Sequence, residues 1–186
     1  MSQNLEPGGC YHIYNRAHGA EKMFRNRGNY HFFLLQFQKH IHPICDTFCY
    51  CLMPNHFHFL IKFKEVDIIR ARENYKQETE PSNYLSKQFY NFFSSYTQAF
   101  NKQHKRKGGL FMRPFKRKKV TTEPYLIHLI KYIHLNPVQA GMVESPELWI
   151  HSSYHCFFSE NETFISKGSV LNYFDDFNNF IYIHKP

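Results

Sequence analysis

From His56 to Phe63 the chain alternates: Phe57, Phe59, Ile61 and Phe63 occupy every second position. A period of two is the period of a strand, so these four share one face and His56 and His58 share the other. Upstream, Ile44 to Leu52 is rich in β-branched, aromatic and cysteine residues and also reads as a strand. Between them Met53-Pro54-Asn55 is a turn, because proline fixes φ and asparagine tolerates turn geometry. Together the two runs predict a hairpin.

The remaining pattern is mostly helical. Tyr11 to Arg16 reads as a short strand. From Asn29, taken as a cap, apolar residues recur at helical spacing to about His42, and Pro43 ends the helix. Lys64 to Pro81 is charged and aperiodic and reads as a loop. A long amphipathic helix is expected from the cap Ser82 to about Lys102, burying Leu85, Phe89, Phe92, Phe93, Tyr96 and Phe100. Leu110 to Val120 reads as a strand that Pro114 pushes towards an edge or a bulge. Thr122 then caps a helix from Glu123 to about Leu135, ended by Asn136-Pro137.

This order predicts an α+β, ferredoxin-like (βαββαβ) fold, a four-stranded antiparallel sheet with helices on one face and an extra helix after the last strand. Residues 145–186 are aromatic and less regular, and are expected to pack on the same domain as short helices and loops. No internal repeat or low-complexity segment interrupts the chain.

Composition narrows the function. With 186 residues, 20 Phe and 13 Tyr, the chain can build a substantial core. A formal charge of +8 and a pI near 9.2 favour a polyanionic partner, nucleic acid before an anionic membrane surface. No apolar run is long enough to span a membrane, and residues 1–9 do not read as an export signal. The five cysteines are odd in number and contain no CxxC pair. Cys45, Cys49 and Cys51 read as reduced core thiols before they read as a zinc site, and the expected location is cytoplasmic.

His56 and His58, projecting side by side from a strand, are a candidate pair of metal ligands. The last helix can lie across the face that bears them. On it, Tyr132 and Asn136 are four residues apart and so share a side. Two imidazoles and an amide carbonyl could hold a divalent ion with positions left open for phosphate oxygens. The ion would polarise a phosphodiester and the phenol would attack it. Histidines suit Mn²⁺ better than Mg²⁺ and would admit adventitious Zn²⁺ or Ni²⁺ in vitro.

Five segments carry a resemblance. They are Tyr11-His12-Ile13-Tyr14-Asn15-Arg16, Cys51 to His58, Gly109-Leu110-Phe111 with Arg113-Pro114-Phe115-Lys116, Tyr132 to Gly141, and Ser152-Ser153-Tyr154. Together they resemble the single-tyrosine HUH transposases of the IS200-like class, most closely the REP-associated tyrosine transposases. The resemblance implies a catalytic domain over residues 1–144 with His56 and His58 as metal ligands and Tyr132 as nucleophile. Asn136 stands where that family has its third ligand, and the cofactor is Mg²⁺ or Mn²⁺. The implied reaction is the nicking and transfer of single-stranded or hairpin DNA through a 5′-phosphotyrosine. The implied assembly is open between a monomer and a homodimer.

Rival readings stand beside each of these. Tyr90, Tyr96 and Tyr125 also fall on predicted helices, and Asn136 would serve equally as a helix terminator. His134 should face away from the site. Lys105, Arg106, Lys107, Arg113, Lys116, Arg117, Lys118 and Lys119 form either a solvated face or a phosphate-tracking surface, which Arg16 could join. Phe111 and Phe115 could stack on bases or pack in the core. In place of a transposase, the chain could be a non-catalytic nucleic-acid-binding module of the same fold, or a zinc hydrolase using His56 and His58 with a distant carboxylate or histidine.

Overall fold

A computed structural model describes residues 4–185. Residues 1–3, part of the segment read above as lacking an export signal, lie outside the described residues. The strands are β1 (Cys10–Arg16), β2 (Cys45–Met53), β3 (His56–Phe63) and β4 (Lys116–Val120), and the longer helices are α1 (Arg27–His40), α3 (Pro81–Gln103) and α4 (Glu123–Gln139). Short helices α2 (Val66–Arg70), α5 (Lys167–Leu171) and α6 (Phe177–Ile183) complete the chain.

The strands form one antiparallel sheet in the order β2-β3-β1-β4. Each β-helix-β unit is thus split by a strand of the other, and the chain is α+β as expected. Register follows the pleat. Tyr11, Ile13 and Asn15 pair with Ile61, Phe59 and Phe57, whereas His12, Tyr14 and Arg16 pair with Leu60, His58 and His56. The first set faces α1 and α3, and aromatic rings fill that layer. Phe37 stacks on Phe59 with centroids 4.1 Å apart, Phe33 lies 5.2 Å from Phe57, and Phe63 meets Phe89 edge-on at 6.3 Å.

The second set faces α4. That helix is longer than the sequence suggests: it continues through Asn136 and Pro137 to Gln139. Proline removes one backbone donor, but so near the C-terminus it interrupts little. Gly141, at φ 65°, supplies the left-handed turn that ends the helix, and Met142 N–H closes on the Pro137 carbonyl at 3.0 Å. Asn136 is therefore an interior helix residue and not a terminator.

Other boundaries also move. The cap of α1 is Asn26, whose side chain accepts from Asn29 N–H, while Asn29 itself is buried and donates to Gln103. Proline stands at the start of α3 and Ser82 makes no cap bond. The segment expected to be loop holds α2, anchored by the buried Ile69. Only Lys116–Val120 of the fourth predicted strand is strand. Pro114 has no N–H for a ladder, and residues 110–115 keep only the Phe111 bridge to Ala17.

Residues 145–185 close over β2 and α4. Trp149 Nε1 donates to the Leu52 carbonyl at 3.1 Å, and Tyr50 N–H donates to Ser153 Oγ at 2.8 Å. His134, on the side of α4 away from Tyr132, is fully buried and shares hydrogen bonds with His184 (2.9 Å) and Ser153 (3.0 Å). Burial, the largest influence, holds His134 well below the usual imidazole range and lowers His184 to about 4.

Both imidazoles are neutral in the fold and take protons more readily once it opens. The unfolded chain thus binds more protons, so stability falls as pH drops from about 6.5 towards 4. Thermal melts at successive pH values should show the midpoint falling through this window, by about 2–4 °C for each kcal/mol lost. A midpoint that stays level there would contradict the buried pair.

Candidate active site

His56 and His58 project from the sheet face that α4 crosses, and the helix brings Tyr132 and Asn136 to them. The edge of the Tyr132 ring meets His58, with centroids 5.5 Å apart and planes at 82°. Asn136 Oδ1 lies 3.1 Å from His56 Nε2. Tyr132, His56 and His58 line one pocket with Tyr14, Arg16 and Lys116. The four site residues proposed from sequence therefore meet in space.

The protons in this cluster are informative. Burial lowers the pKa of His56, so its imidazole is neutral at pH 7 and carries one N–H. His56 Nδ1 lies 2.8 Å from Asn55 Oδ1, which can only accept, so the N–H is directed there. His56 Nε2 then offers a lone pair, and so does the carbonyl oxygen of Asn136. Two acceptors 3.1 Å apart repel, unless a cation lies between them or the amide turns its NH₂ inward. Neighbouring ligands about 2.1 Å from an octahedral ion stand about 3 Å apart, so this donor pair fits a divalent metal.

His58 has a partner that sequence reasoning missed. Its Nδ1 shares a hydrogen bond with Nε2 of His12, 2.9 Å away across the β1–β3 ladder. Burial lowers His58 to about 3 and His12 to about 4, with the neighbouring histidines adding to the first and Lys118 to the second. Both rings are neutral, so one N–H is shared between them. With that proton on His58 Nδ1, its Nε2 is left as a lone pair. Tyr14 stacks on His12 at 4.7 Å and on His58 at 5.8 Å. Period two along Tyr11–Arg16 carries this signal, because residues 12, 14 and 16 must share a face. The register against β3 is not legible in it.

The rival tyrosines sit elsewhere. Tyr96 is buried in the aromatic layer and donates to the Met23 carbonyl, and Tyr90 is exposed on α3. Tyr125 lies two turns before Tyr132 under the ammonium of Lys118, 4.6 Å from its ring centroid. His134 faces away, as expected. The cysteines at 45, 49 and 51 are buried, and burial raises each thiol above its ordinary range. Among the described residues no three His, Cys, Asp or Glu side chains converge as a metal group, so any site here depends on the Asn136 amide.

The pleat divides the basic run. Lys116 and Lys118 pair with Tyr14 and His12 and share the histidine face. Arg117 and Lys119 pair with Ile13 and Tyr11 and turn the other way, Arg117 over the Phe115 ring at 5.0 Å and Lys119 against Glu6. Arg106 is engaged in a two-pronged pair with Glu21 and donates to the Gly109 carbonyl, which ties the end of α3 to the following loop. Lys105, Lys107 and Arg113 are exposed, and Arg16 lies exposed on the pocket rim. The expected single basic surface is therefore two surfaces. Phe111 is a core residue, packed 5.0 Å from Phe93, whereas Phe115 is half-buried.

No family model matches the chain. A protein of Haemophilus influenzae, provisionally named a REP-associated tyrosine transposase, is 31% identical over 112 residues. The match takes in 59% of this chain and 59% of that protein, so the chain spans about three fifths of the length of the curated relative it matches. A solved structure described as a REP-associated tyrosine transposase bound to a REP hairpin matches with a TM-score of 0.62. It covers 96% of each chain at 15% identity, a likeness of fold. Both comparisons carry the family name that the sequence motifs suggested. Among the described residues no helix is long and apolar enough to cross a membrane.

If the four side chains meet as described, paramagnetic Mn²⁺ should broaden the ring resonances of His56 and His58 first in a histidine-selective NMR titration. His31, exposed on α1 beyond the other sheet face, should be affected last. Uniform broadening of all imidazoles would contradict a single site.

Proposed function

We propose that this chain is a metal-dependent DNA-nicking and strand-transfer enzyme, a transposase of the REP-associated tyrosine type. One observation carries the reading: Tyr132 and Asn136, one helical turn apart, converge on His58 and His56 from the opposite layer of the fold. A phenol beside two imidazoles and an amide oxygen suits metal-assisted attack on a phosphodiester. The exposed Arg16 and Lys116 on the rim favour a polyanionic substrate.

His56 Nε2, His58 Nε2 and Asn136 Oδ1 would hold Mg²⁺ or Mn²⁺. Once bound, the ion supplies Lewis-acid polarisation of the scissile phosphate. Tyr132 Oη attacks phosphorus and gives up its proton. The bond to the 3′-oxygen breaks and that oxygen leaves as a 3′-hydroxyl, taking up a proton. The product is a 5′-phosphotyrosine, whose ester keeps the free energy needed to rejoin another 3′-hydroxyl. Arg16 and Lys116 hold the phosphates on either side. The substrate is single-stranded or hairpin DNA, and the chain acts in the cytoplasm as a monomer or a homodimer.

His12 is the positioning residue of this centre. By accepting from His58 Nδ1–H it fixes the tautomer in which His58 Nε2 can bind a cation, as the outer partners of metal-bound histidines do. Replacing His12 by Ala should weaken Mn²⁺ binding about 10- to 100-fold in calorimetric titration. His12→Asn or His12→Gln, which keep an acceptor, should recover part of the loss. Equal affinities in all of these variants would remove His12 from the site.

The central test is an adduct assay on labelled hairpin DNA with Mn²⁺. The unaltered protein should give a covalent species on denaturing gels. Tyr132→Phe should give none, and Tyr14→Phe should keep it. His56→Ala should lower the rate by at least about 100-fold, since the metal's electrostatic stabilisation is lost. Salt-sensitive binding with no adduct at all would leave a non-catalytic binding module. Cleavage that survives Tyr132→Phe would point to metal-bound water as the nucleophile.

A further inference from the structure

A second cavity, of about 490 Å³, lies behind the catalytic pocket. One wall is a stripe of α3 beside its buried side: Ser86, Tyr90, Phe93, Ser94 and Thr97, at spacings of three and four that keep them on one helix face. The other wall is the irregular segment 108–115, ending in Arg113, Pro114 and Phe115. Met112 N–H donates to the Arg16 carbonyl at 2.9 Å, and Asn15 Nδ2 donates to the Met112 carbonyl at 2.9 Å. These bonds pin the segment to the end of β1. Asn15 and Met112 line both cavities, so the two are neighbours across this one stretch of chain.

The lining has a particular chemistry. Tyr90 is a large aromatic side chain left 62% exposed, and Phe93 and Phe115 present further ring surface nearby. The Ser94 and Thr97 hydroxyls and the Gln98 amide add donors and acceptors at the rim. Arg113, which lines this cavity, is exposed, and Arg16 lies on the side that faces the catalytic pocket. A flat heteroaromatic ring with a polar edge, attached to a phosphate, matches each of these in turn. An apolar peptide side chain would leave the cations without partners.

We infer that this cavity receives one unstacked base of the same DNA strand that enters the catalytic pocket, with Tyr90 as the stacking platform. The inference rests on the proposed DNA reaction and adds to it a base-holding site that sets which phosphate reaches Tyr132. Phosphates running over Arg16 and past Met112 connect the two cavities. Stacking accepts every base, whereas the Ser94, Thr97 and Gln98 edge would prefer some over others.

The test uses a fluorescently labelled hairpin with a single-stranded extension, in which each extension nucleotide is made abasic in turn. Binding is measured by anisotropy at fixed salt. One abasic position should weaken binding by roughly 5- to 100-fold, the range for loss of one stacked base. Tyr90→Ala should cost about the same on the intact hairpin, and the abasic change should then cost nothing more. Tyr90→Phe, which keeps the ring, should restore binding. Tight binding by Tyr90→Ala, or losses from the two changes that simply add, would overturn the base site while leaving the proposed function standing. If the unaltered protein bound no hairpin in the series, both would fall.

Discussion

Each turn of the β3 pleat sends one side chain into the aromatic layer under α1 and α3 and the next towards α4. Phe57, Phe59, Ile61 and Phe63 take the first direction, and His56 and His58 take the second. A slip of one residue would exchange these sets, putting imidazoles in the phenylalanine core and rings in the pocket that Tyr132 lines. The packing of Phe37 on Phe59 and Phe33 on Phe57 opposes that slip. The core and the chemistry are thus held in register by the same interaction, and the packing that stabilises the sheet also positions two imidazoles.

Burial then shapes what those imidazoles can do. Around His58 and His12 it removes the charged forms from the ordinary pH range, so the lone pairs survive in mildly acidic solution. A neutral ring has only one proton to give. Asn55 takes the one on His56, and the His12–His58 pair shares another. What is left facing Asn136 is a lone pair on His56 Nε2, which meets either a cation or the amide NH₂ turned inward. The C-terminal segment contributes from the far side of α4, where His134, His184 and Ser153 hold the helix that carries Tyr132.

Some parts of this site are legible in the amino-acid pattern. The period-two run places His56 and His58 on one face, and the four-residue interval aligns Tyr132 with Asn136. The element order and the strand-against-helix layering follow from where the periodicity changes. Pro137 misleads about the helix end, because the rule against proline holds for helix interiors and a missing donor matters little in the last turn. The basic run misleads for the opposite reason. Lys116, Arg117, Lys118 and Lys119 look like one patch when counted, but a strand deals them alternately to two faces.

Local spacing by itself determined which side chains share a face of one element, because backbone geometry repeats within a strand or helix. It determined the histidine pair, the tyrosine–asparagine pair and the burial of the phenylalanines. Contacts between elements depend on register and on how layers pack, and many distant residues set these together. Only the tertiary structure could bring Asn136 to His56, give His58 its partner in His12, turn Lys119 away towards Glu6, or open a second cavity beside Tyr90.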